Sequence, residues 1–594
     1  MPRTRPLLPV LLVLFFTALA VWGSPFLYDV GNSGRYLVGV LRHLDPALFP
    51  GDAVVDSLAR FHSLFYDSLG VGLAAVGLTP AGLSGAMFVL YALTRLLTFA
   101  LLFLLVQTLA ARTDPAGAAG ETVWGFLFLA ALAVHVKPTL LGGTQLFPPL
   151  LRHSEAALLL ALVGLVFLFR GRHLLFWVCA ALIIFVHSII GLQFVLSVAP
   201  PLLLLERRAW RAHLPGVLLL GAAMLAYALF FGPPAMTTAE ADIFLAAKGS
   251  IDHVSLLNQD WRSWLAAVGV LALATAVYHH LLRGDRRYDL LFWAMVSGGV
   301  AGLAISALAL LTRLVPLVQI QPMRTFLWVT FFAYLLLALA TARAWRQAPW
   351  LGLILTGFVV STILGFIWWL AFAGLGVGYV LLARVPLLAG RVSPAGRDKL
   401  AQWGVLAVAA GMLLTGLAGR WLPDSLGDWG LILPAGLLAY LALAGWSRPG
   451  ARSAVLGLLL AAALLAASID TYARYARASD DNWQVMCAWV VENTAPTDQF
   501  YVTAPAPFRT CAWRPALAND YSAVAWVDPT VFAQSREIDK QLRAALQAGQ
   551  WDVTQLRGLA AAAGADYILV AQPFAAPDVP PLFQTGPYAL FPTR

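Results

Sequence analysis

Charge is scarce in this 594-residue chain: 12% of its residues are Asp, Glu, Lys or Arg, against 60% that are hydrophobic. A soluble domain cannot keep that much apolar surface away from water, so the soluble classes are excluded. Cysteine is scarcer still. Cys179, Cys487 and Cys511 are the whole set, too few for a disulfide scaffold or a cysteine-rich metal centre. The chain also lacks an internal repeat of roughly 20 to 50 residues and any long low-complexity tract. Its formal net charge is +9, but the excess is mostly arginine in short clusters between apolar runs. That pattern signals membrane topology and not nucleic-acid binding.

What the chain does have is apolar runs of roughly 17 to 25 residues, the length that crosses a hydrocarbon core of about 30 Å. Spans are expected near 7–24, 85–110, 122–138, 155–170, 173–188, 190–206, 214–232, 263–283, 287–312, 325–344, 350–367, 370–386, 401–419, 429–447 and 453–471, about 13 to 15 in all. The stretches 173–206 and 350–386 each read as two short helices. Splitting both puts Arg170/Arg172, Arg207/Arg208/Arg211, Arg283/Arg286/Arg287, Arg343/Arg346, Arg384/Arg391/Arg397/Lys399 and Arg448/Arg452 on the side of Arg3 and Arg5, which the positive-inside rule makes cytoplasmic. Outside lie the first loop, 139–154, 233–262, 313–324 and everything after 472. MPRTR, an apolar core and Ala18-Leu19-Ala20 also fit a cleavable signal peptide, and cleavage would leave Asp29 outside as well.

The fold class expected is therefore mainly α: a polytopic membrane domain over 1–472, with a first outer loop over 25–84, followed by a small extracytoplasmic α/β domain over 473–594. In that domain the pattern predicts helices 481–493, 530–548 and 553–563, strands 499–503, 511–518 and 566–571, and a closing hairpin turning at Thr585-Gly586-Pro587. Cys487 and Cys511 would face an oxidising compartment, where a disulfide and two buried thiols are both open.

Ionisable groups gather between Tyr28 and Tyr66, which hold Asp29, Arg35, Arg42, His43, Asp45, Asp52, Asp56, Arg60 and His62. Asp29, just past span 1, can serve as a general base or as a helix cap beside the Gly31-Asn32-Ser33-Gly34 turn. Asp45-Pro46 and Pro50-Gly51-Asp52 look like turns. The second outer loop brings Lys137, Arg152, His153 and Glu155, where phosphate binding competes with interfacial snorkelling. His187 falls mid-membrane in FVHSII, and the third loop carries Lys248, Asp252 and His253. The fourth loop holds Arg313 and Arg324 against the positive-inside trend, so each needs an anion, either a phosphate or a carboxylate of the first loop. No metal cluster of useful spacing is evident; a divalent cation such as Mg or Mn, shared by Asp29 and Asp52 or Asp56, is the cofactor the carboxylates would allow.

The basic N-terminus, acidic first outer loop, many-span core and C-terminal extracytoplasmic domain together resemble the GT-C superfamily of integral-membrane glycosyltransferases. Asp29 with Arg35-Tyr36 matches that family's acidic motif after the first span. LDPALFPGD (44–52), WVVENTAPTDQFYVTAPAPFR (489–509) and YALFP (588–592) are similar to segments of a group of uncharacterised bacterial GT-C-like proteins. One departure is that Asp29 stands between Tyr28 and Val30, where many relatives carry paired acidic residues. The resemblance implies transfer of a sugar from a polyprenyl-phosphate-linked donor to a glycan, lipid or protein acceptor at the outer face of a bacterial inner membrane. Asp29 would be the catalytic base, with Arg35 orienting it; Lys137, Arg152, His153 and Arg324 would hold the donor phosphate, and Asp52 and His253 complete the substrate-binding set. Membrane lipid is the other partner, and nucleic acid is not one. Two other classes compete: a transporter or flippase of a lipid-linked or anionic substrate, and a non-catalytic scaffold that kept the fold.

Overall fold

The computed structural model describes residues 7–594 apart from 24–25, 27, 29–31, 59–62, 111–117, 135–140, 144–145, 149, 233–234, 250, 365–367, 420–428, 444–448, 479–480, 504–507, 518–523, 548, 572 and 575–578. The chain opens with α1 (Leu7–Gly23), followed by three short helices of the first loop, α2 (Asn32–Leu44), α3 (Ala53–Leu58) and α4 (Leu64–Ala75). Next come α5 (Leu83–Ala110), α6 (Ala118–Val134), α7 (His153–Phe169), α8 (His173–Val186), α9 (Ser188–Leu205) and α10 (Trp210–Phe230). The outer helix α11 (Thr238–Lys248) leads to α12 (Trp261–Val277) and α13 (Arg286–Thr312), and the short α14 (Val315–Gln319) leads to α15 (Phe326–Gln347). Then follow α16 (Pro349–Leu364), α17 (Trp368–Arg384), the short α18 (Pro386–Ala389), α19 (Pro394–Gly419), α20 (Trp429–Leu443) and α21 (Pro449–Ala478).

Every expected span coincides with one of these helices. Among the described residues, seven helical stretches are long and apolar enough to cross a membrane, and the other expected spans contain shorter apolar helical stretches. Both split pairs appear. α8 ends and α9 begins at His187, whose extended backbone (φ −156°, ψ 91°) breaks the helical run. At the heart of the bundle is α15, apolar on every face, whose apolar window is 100% buried while the other long spans bury 22% to 44% of theirs. A helix without a polar face can face either lipid or protein, and here α6, α12, α13 and α16 enclose it.

At one end of the bundle the arginine clusters meet helix ends. Arg287 donates to the carbonyls of Thr108 and Leu109 (2.9 and 3.2 Å), satisfying the open C-terminal end of α5, and Arg343 and Arg346 both pair with Glu121. The segments placed outside by the charge rule meet at the opposite end. Leu151 shares a buried cluster with first-loop residues and with Val524, Ala525 and Phe532, while Phe244 of the third loop packs edge-on against Trp526 (5.0 Å).

The C-terminal domain adds α22 (Asp481–Asn493), β1 (Phe500–Val502), α23 (Phe508–Ala512), α24 (Pro529–Ala544), a β2–β3 ribbon (Leu546–Gln547, Gln550–Trp551), α25 (Val553–Ala562), β4 (Tyr567–Ala571), β5 (Phe583–Thr585) and β6 (Tyr588–Pro592). Its main sheet has the order β1-β4-β6-β5, parallel between β1 and β4 and antiparallel elsewhere. The strands are apolar on both faces because successive side chains point to opposite sides. Phe500, Val502, Leu569 and Leu590 pack toward Trp483 and Met486 of α22. Tyr501, Ile568, Val570 and Phe591 pack toward Leu542, Leu556 and Ala560 of α24 and α25.

One expected element is corrected. Of the expected strand 511–518, residues 511–517 do not form one: Phe508–Ala512 is helical, and Ala516 alone of them bridges Phe500; residue 518 lies outside the described residues. Pro515 has no N–H to extend the ladder, and Cys511 is tied by a disulfide to Cys487 of α22, which settles the open choice between bridge and thiols. Likewise α24 ends at Ala544 and does not reach 548.

The bridge closes a sequence separation of 24, worth about 3 kcal/mol by chain entropy. Replacing Cys487 and Cys511 together by alanine is expected to raise protease cleavage within 481–594 by about two powers of ten, with melting of the membrane helices unchanged.

Candidate functional site

Three turns at the end of the bundle that the charge rule assigns to the outside interlock and bring the second, third and fourth of those loops together. Gly142 adopts φ +80°, and a Cβ there would fall on the Met323 carbonyl oxygen, so only glycine fits. Its N–H donates to Gln259 Oε1 (2.8 Å), and its carbonyl oxygen meets His253 Nδ1. The Met323 N–H donates to the His253 carbonyl (3.0 Å). From inside the bundle, Gln193 of α9 donates through Nε2 to the carbonyls of Ile320 and Gln321 (3.1 and 2.9 Å). This clamp holds Gln321 in the left-handed region (φ 50°) and launches the turn Pro322–Thr325 that carries Arg324.

Arg324 thereby comes within electrostatic range of Arg152, His153, His187, His253 and Tyr36. Its Nε is buried with no hydrogen-bond acceptor, and among the described residues its guanidinium enters no ion pair. The expected alternative, an ion pair with a first-loop carboxylate, is not found among the described residues. Arg313 stands apart, exposed, in a left-handed cap of α13.

Arg152 stands at the N-cap of α7 with its side chain 18% exposed. Its backbone N–H donates to Glu155 Oε2 (2.8 Å), while Nη2 reaches Glu155 Oε1 at 3.4 Å and Nε is buried without an acceptor. Glu155 also accepts from Ser154 Oγ. The carboxylate beside the cluster is therefore engaged in starting a helix, where negative charge is favoured by the exposed N–H groups.

Aromatic rings line the same place. Tyr36 of α2 stacks on Tyr66 of α4 (5.0 Å), both meet His153 edge-on (4.9 and 5.2 Å), and His153 lies against His187 at the α8–α9 break (4.1 Å). Lys248 is buried over Trp526 (5.4 Å). The carbonyl facing His253 Nδ1 can only accept, so the proton is on Nδ1 and the neutral ring keeps an Nε2 lone pair.

The structure thus brings together Arg152, His153, His253 and Arg324. Asp29 and Lys137 lie outside the described residues, and Arg35 is in the first turn of α2 with its side chain outside them. Asp52 is corrected from substrate binding. Both its oxygens are engaged by the buried Arg509 (2.6 and 3.2 Å), by the N–H groups of Val54 and Val55 (both 3.1 Å), which it caps, and by the Ala516 N–H (3.0 Å). Asp56 pairs with Arg42 (2.6 Å), so a cation shared through Asp52 or Asp56 would have to displace an arginine.

Sequence reading missed a second cluster, at the opposite end. His173, Glu206 and His213 place their ligand atoms within 4.8 Å of one another, but the hydrogen bonds do not suit a metal. Trp177 Nε1–H can only donate, and it donates to His213 Nδ1 (3.3 Å). The proton is therefore on His213 Nε2, aimed at Glu206 Oε2 (2.7 Å), while Arg286 holds the other oxygen (3.0 Å). The spacing of these three residues gave no motif to find.

No protein-family model matches the chain, and no curated protein does. Among solved structures, the chain is similar to ArnT from Cupriavidus metallidurans, whose crystal structure is described as bound to undecaprenyl phosphate. The match has 13% identity, covers 100% of this chain and 99% of that one, and has a TM-score of 0.45.

Burial first, and Arg324 next, hold the His253 imidazole far below its ordinary 6.5, at about 3. In the unfolded chain it charges as pH falls through 6.5; in the fold it resists until about 3. Stability from this group is complete above 6.5 and is lost as pH drops through that window. The thermal midpoint is expected to fall between about pH 7 and about pH 5, and His253→Gln should flatten that fall; an unchanged slope would contradict a buried neutral imidazole.

Proposed function

We propose that this multi-pass membrane protein is a glycosyltransferase of the GT-C type, moving a sugar from a polyprenyl-phosphate-linked donor to an acceptor at the outer face. The observation that carries the reading is Arg324: a guanidinium with a buried, acceptor-less Nε, near Arg152, whose Nε also lacks an acceptor although its Nη2 pairs with Glu155, at the end of the bundle where the outer loops meet. Two cations brought together under cover call for an anion, and a phosphate ester takes hydrogen bonds from such forks. Tyr36, Tyr66 and the neutral His153 and His253 would frame the remaining phosphate and sugar groups.

The roles divide as follows. Arg324 and Arg152 bind the donor phosphate and stabilise the charge that develops on it as the glycosidic bond breaks. Asp29, which comes to the proposal from the sequence motif, takes the proton of the acceptor, and Arg35 orients it. Lys137 joins the phosphate ligands from the same motif-level argument. A divalent cation, if used, would enter through Asp29, since Asp52 and Asp56 face arginines. The protein would sit in a bacterial inner membrane, with its N-terminus in the cytoplasm and its C-terminal domain in the periplasm.

The test is glycan transfer in a deletion strain complemented with wild type, Asp29→Asn or Arg324→Ala, at matched membrane abundance. Each variant is expected to lower transfer by about 100-fold or more. If Asp29→Asn transfers like wild type, the catalytic assignment fails. If Arg324→Ala does, the phosphate site is elsewhere and the transporter reading moves ahead.

A further inference from the structure

The Asp52 carboxylate and the Arg509 guanidinium are the two halves of an ion pair that joins the first outer loop to the C-terminal domain. Both side chains are buried, 0% and 1% exposed. Taking two charges out of water is costly and leaves the pair intolerant of losing either member. Both have additional partners that fix their places: Asp52 caps α3, and Arg509 also donates to the Ala516 carbonyl while the Ala516 N–H returns a bond to Asp52. α23, which carries Arg509, is tied to α22 by the bridge at Cys511 two residues on.

On the other side of the pair, the first loop is stiffened toward the cluster. Arg42, in the last turn of α2, donates to the carbonyls of Leu48 and Phe49 (3.4 and 3.0 Å) and pairs with Asp56 of α3. Phe49 is held at φ 60°, and the Asp52 N–H closes that turn onto the Phe49 carbonyl (3.3 Å). Leu37, Val40 and Leu41 of α2 are buried with Val54 and Val55 of α3, with Tyr66, and with Val524 and Phe532 of the C-terminal domain. Two lesser bonds follow the same route, Ser57 Oγ to Asp528 Oδ2 (3.3 Å) and Gln499 Nε2 to the Pro50 carbonyl (3.2 Å). Tyr36 lies less than two turns before Arg42 on α2, and its ring faces His153 and Tyr66.

We propose that Asp52 and Arg509 are positioning residues: through their ion pair the C-terminal domain holds α2, and with it Tyr36, against the outer cationic cluster. The domain then acts on the site as a clamp and not by lending it a side chain. The ligand part of this inference rests on the donor-phosphate reading; the mechanical part does not.

The experiment uses the full chain in lipid nanodiscs, as wild type, Asp52→Asn, Arg509→Lys and Arg324→Ala, with two readouts: amide hydrogen exchange over 32–58 and 83–110, and the Kd for undecaprenyl phosphate. Asp52→Asn is expected to speed exchange over 32–58 by about tenfold, leave 83–110 unchanged and weaken undecaprenyl phosphate binding by about tenfold. Arg509→Lys keeps the charge but loses the fork, so it should do the same to a smaller degree; it replaces Asp52→Asn if that variant does not reach the membrane. Arg324→Ala should weaken binding while leaving exchange over 32–58 as in wild type. The inference is overturned if exchange rises only over 508–517, or if it rises over 32–58 with the Kd unmoved. A wild type that does not bind undecaprenyl phosphate sinks the donor reading instead, and the exchange over α2 then decides the clamp alone.

Discussion

Two guanidinium groups held close together under protein cover set the terms for the outer half of this molecule. Like charges repel more strongly where water is excluded, and Arg152 and Arg324 act on each other while Glu155 pairs with Arg152. The arrangement stands because backbone hydrogen bonds, more than either arginine's own charge, set their places. Arg152 is placed by the start of α7, and Arg324 by a turn that Gln193 grips from inside the membrane and His253 grips from the side. Backbone hydrogen bonds, indifferent to the charge they carry along, bring the cations together. Burial first, and the Arg324 charge next, keep the neighbouring histidine at 253 neutral.

Around that centre the outer segments form one unit. The first loop packs its apolar side into a cluster that includes Leu151 and the C-terminal residues Val524 and Phe532, and α11 of the third loop reaches the same domain through Phe244, Lys248 and Trp526. Every outer segment is thus touched by another that is remote in sequence.

Much of this was legible because the bilayer imposes strict rules. Span length and arginine placement located the helices, including the α8–α9 break, since only splitting that run kept the arginines on one side. Strands β1, β4 and β6 showed as apolar runs because the domain covers both faces of its sheet. Arg324 stood out by breaking the charge rule. What stayed hidden depends on partners far along the chain. Asp52 looked like a turn residue and a candidate ligand because Arg509 lies 457 residues away. Residues 511–518 looked like a strand because neither the bridge at Cys511 nor the single parallel contact at Ala516 leaves a local trace. The His173–Glu206–His213 cluster is assembled by helix packing alone. Asp29 and Lys137 lie outside the described residues, so their part of the site rests on the sequence.

The enclosure of α15 bears on how the chain is made. Its segment is apolar enough to leave a translocon sideways into lipid as soon as it is synthesised, and at that moment its neighbours α6, α12 and α13 already exist. Its remaining cover, α16, has yet to be synthesised. One flank of the innermost helix therefore meets lipid before it meets protein, and closing it requires α16 to displace that lipid. In hydrocarbon, with no hydrophobic gain to drive the exchange, close fit must do so. Gly352 of α16 is one place where that fit is tight: a Cβ there would lie 3.0 Å from the backbone nitrogen of Trp345 of α15. Biogenesis, more than any property of the finished site, would then be what a bulkier residue at Gly352 disturbs.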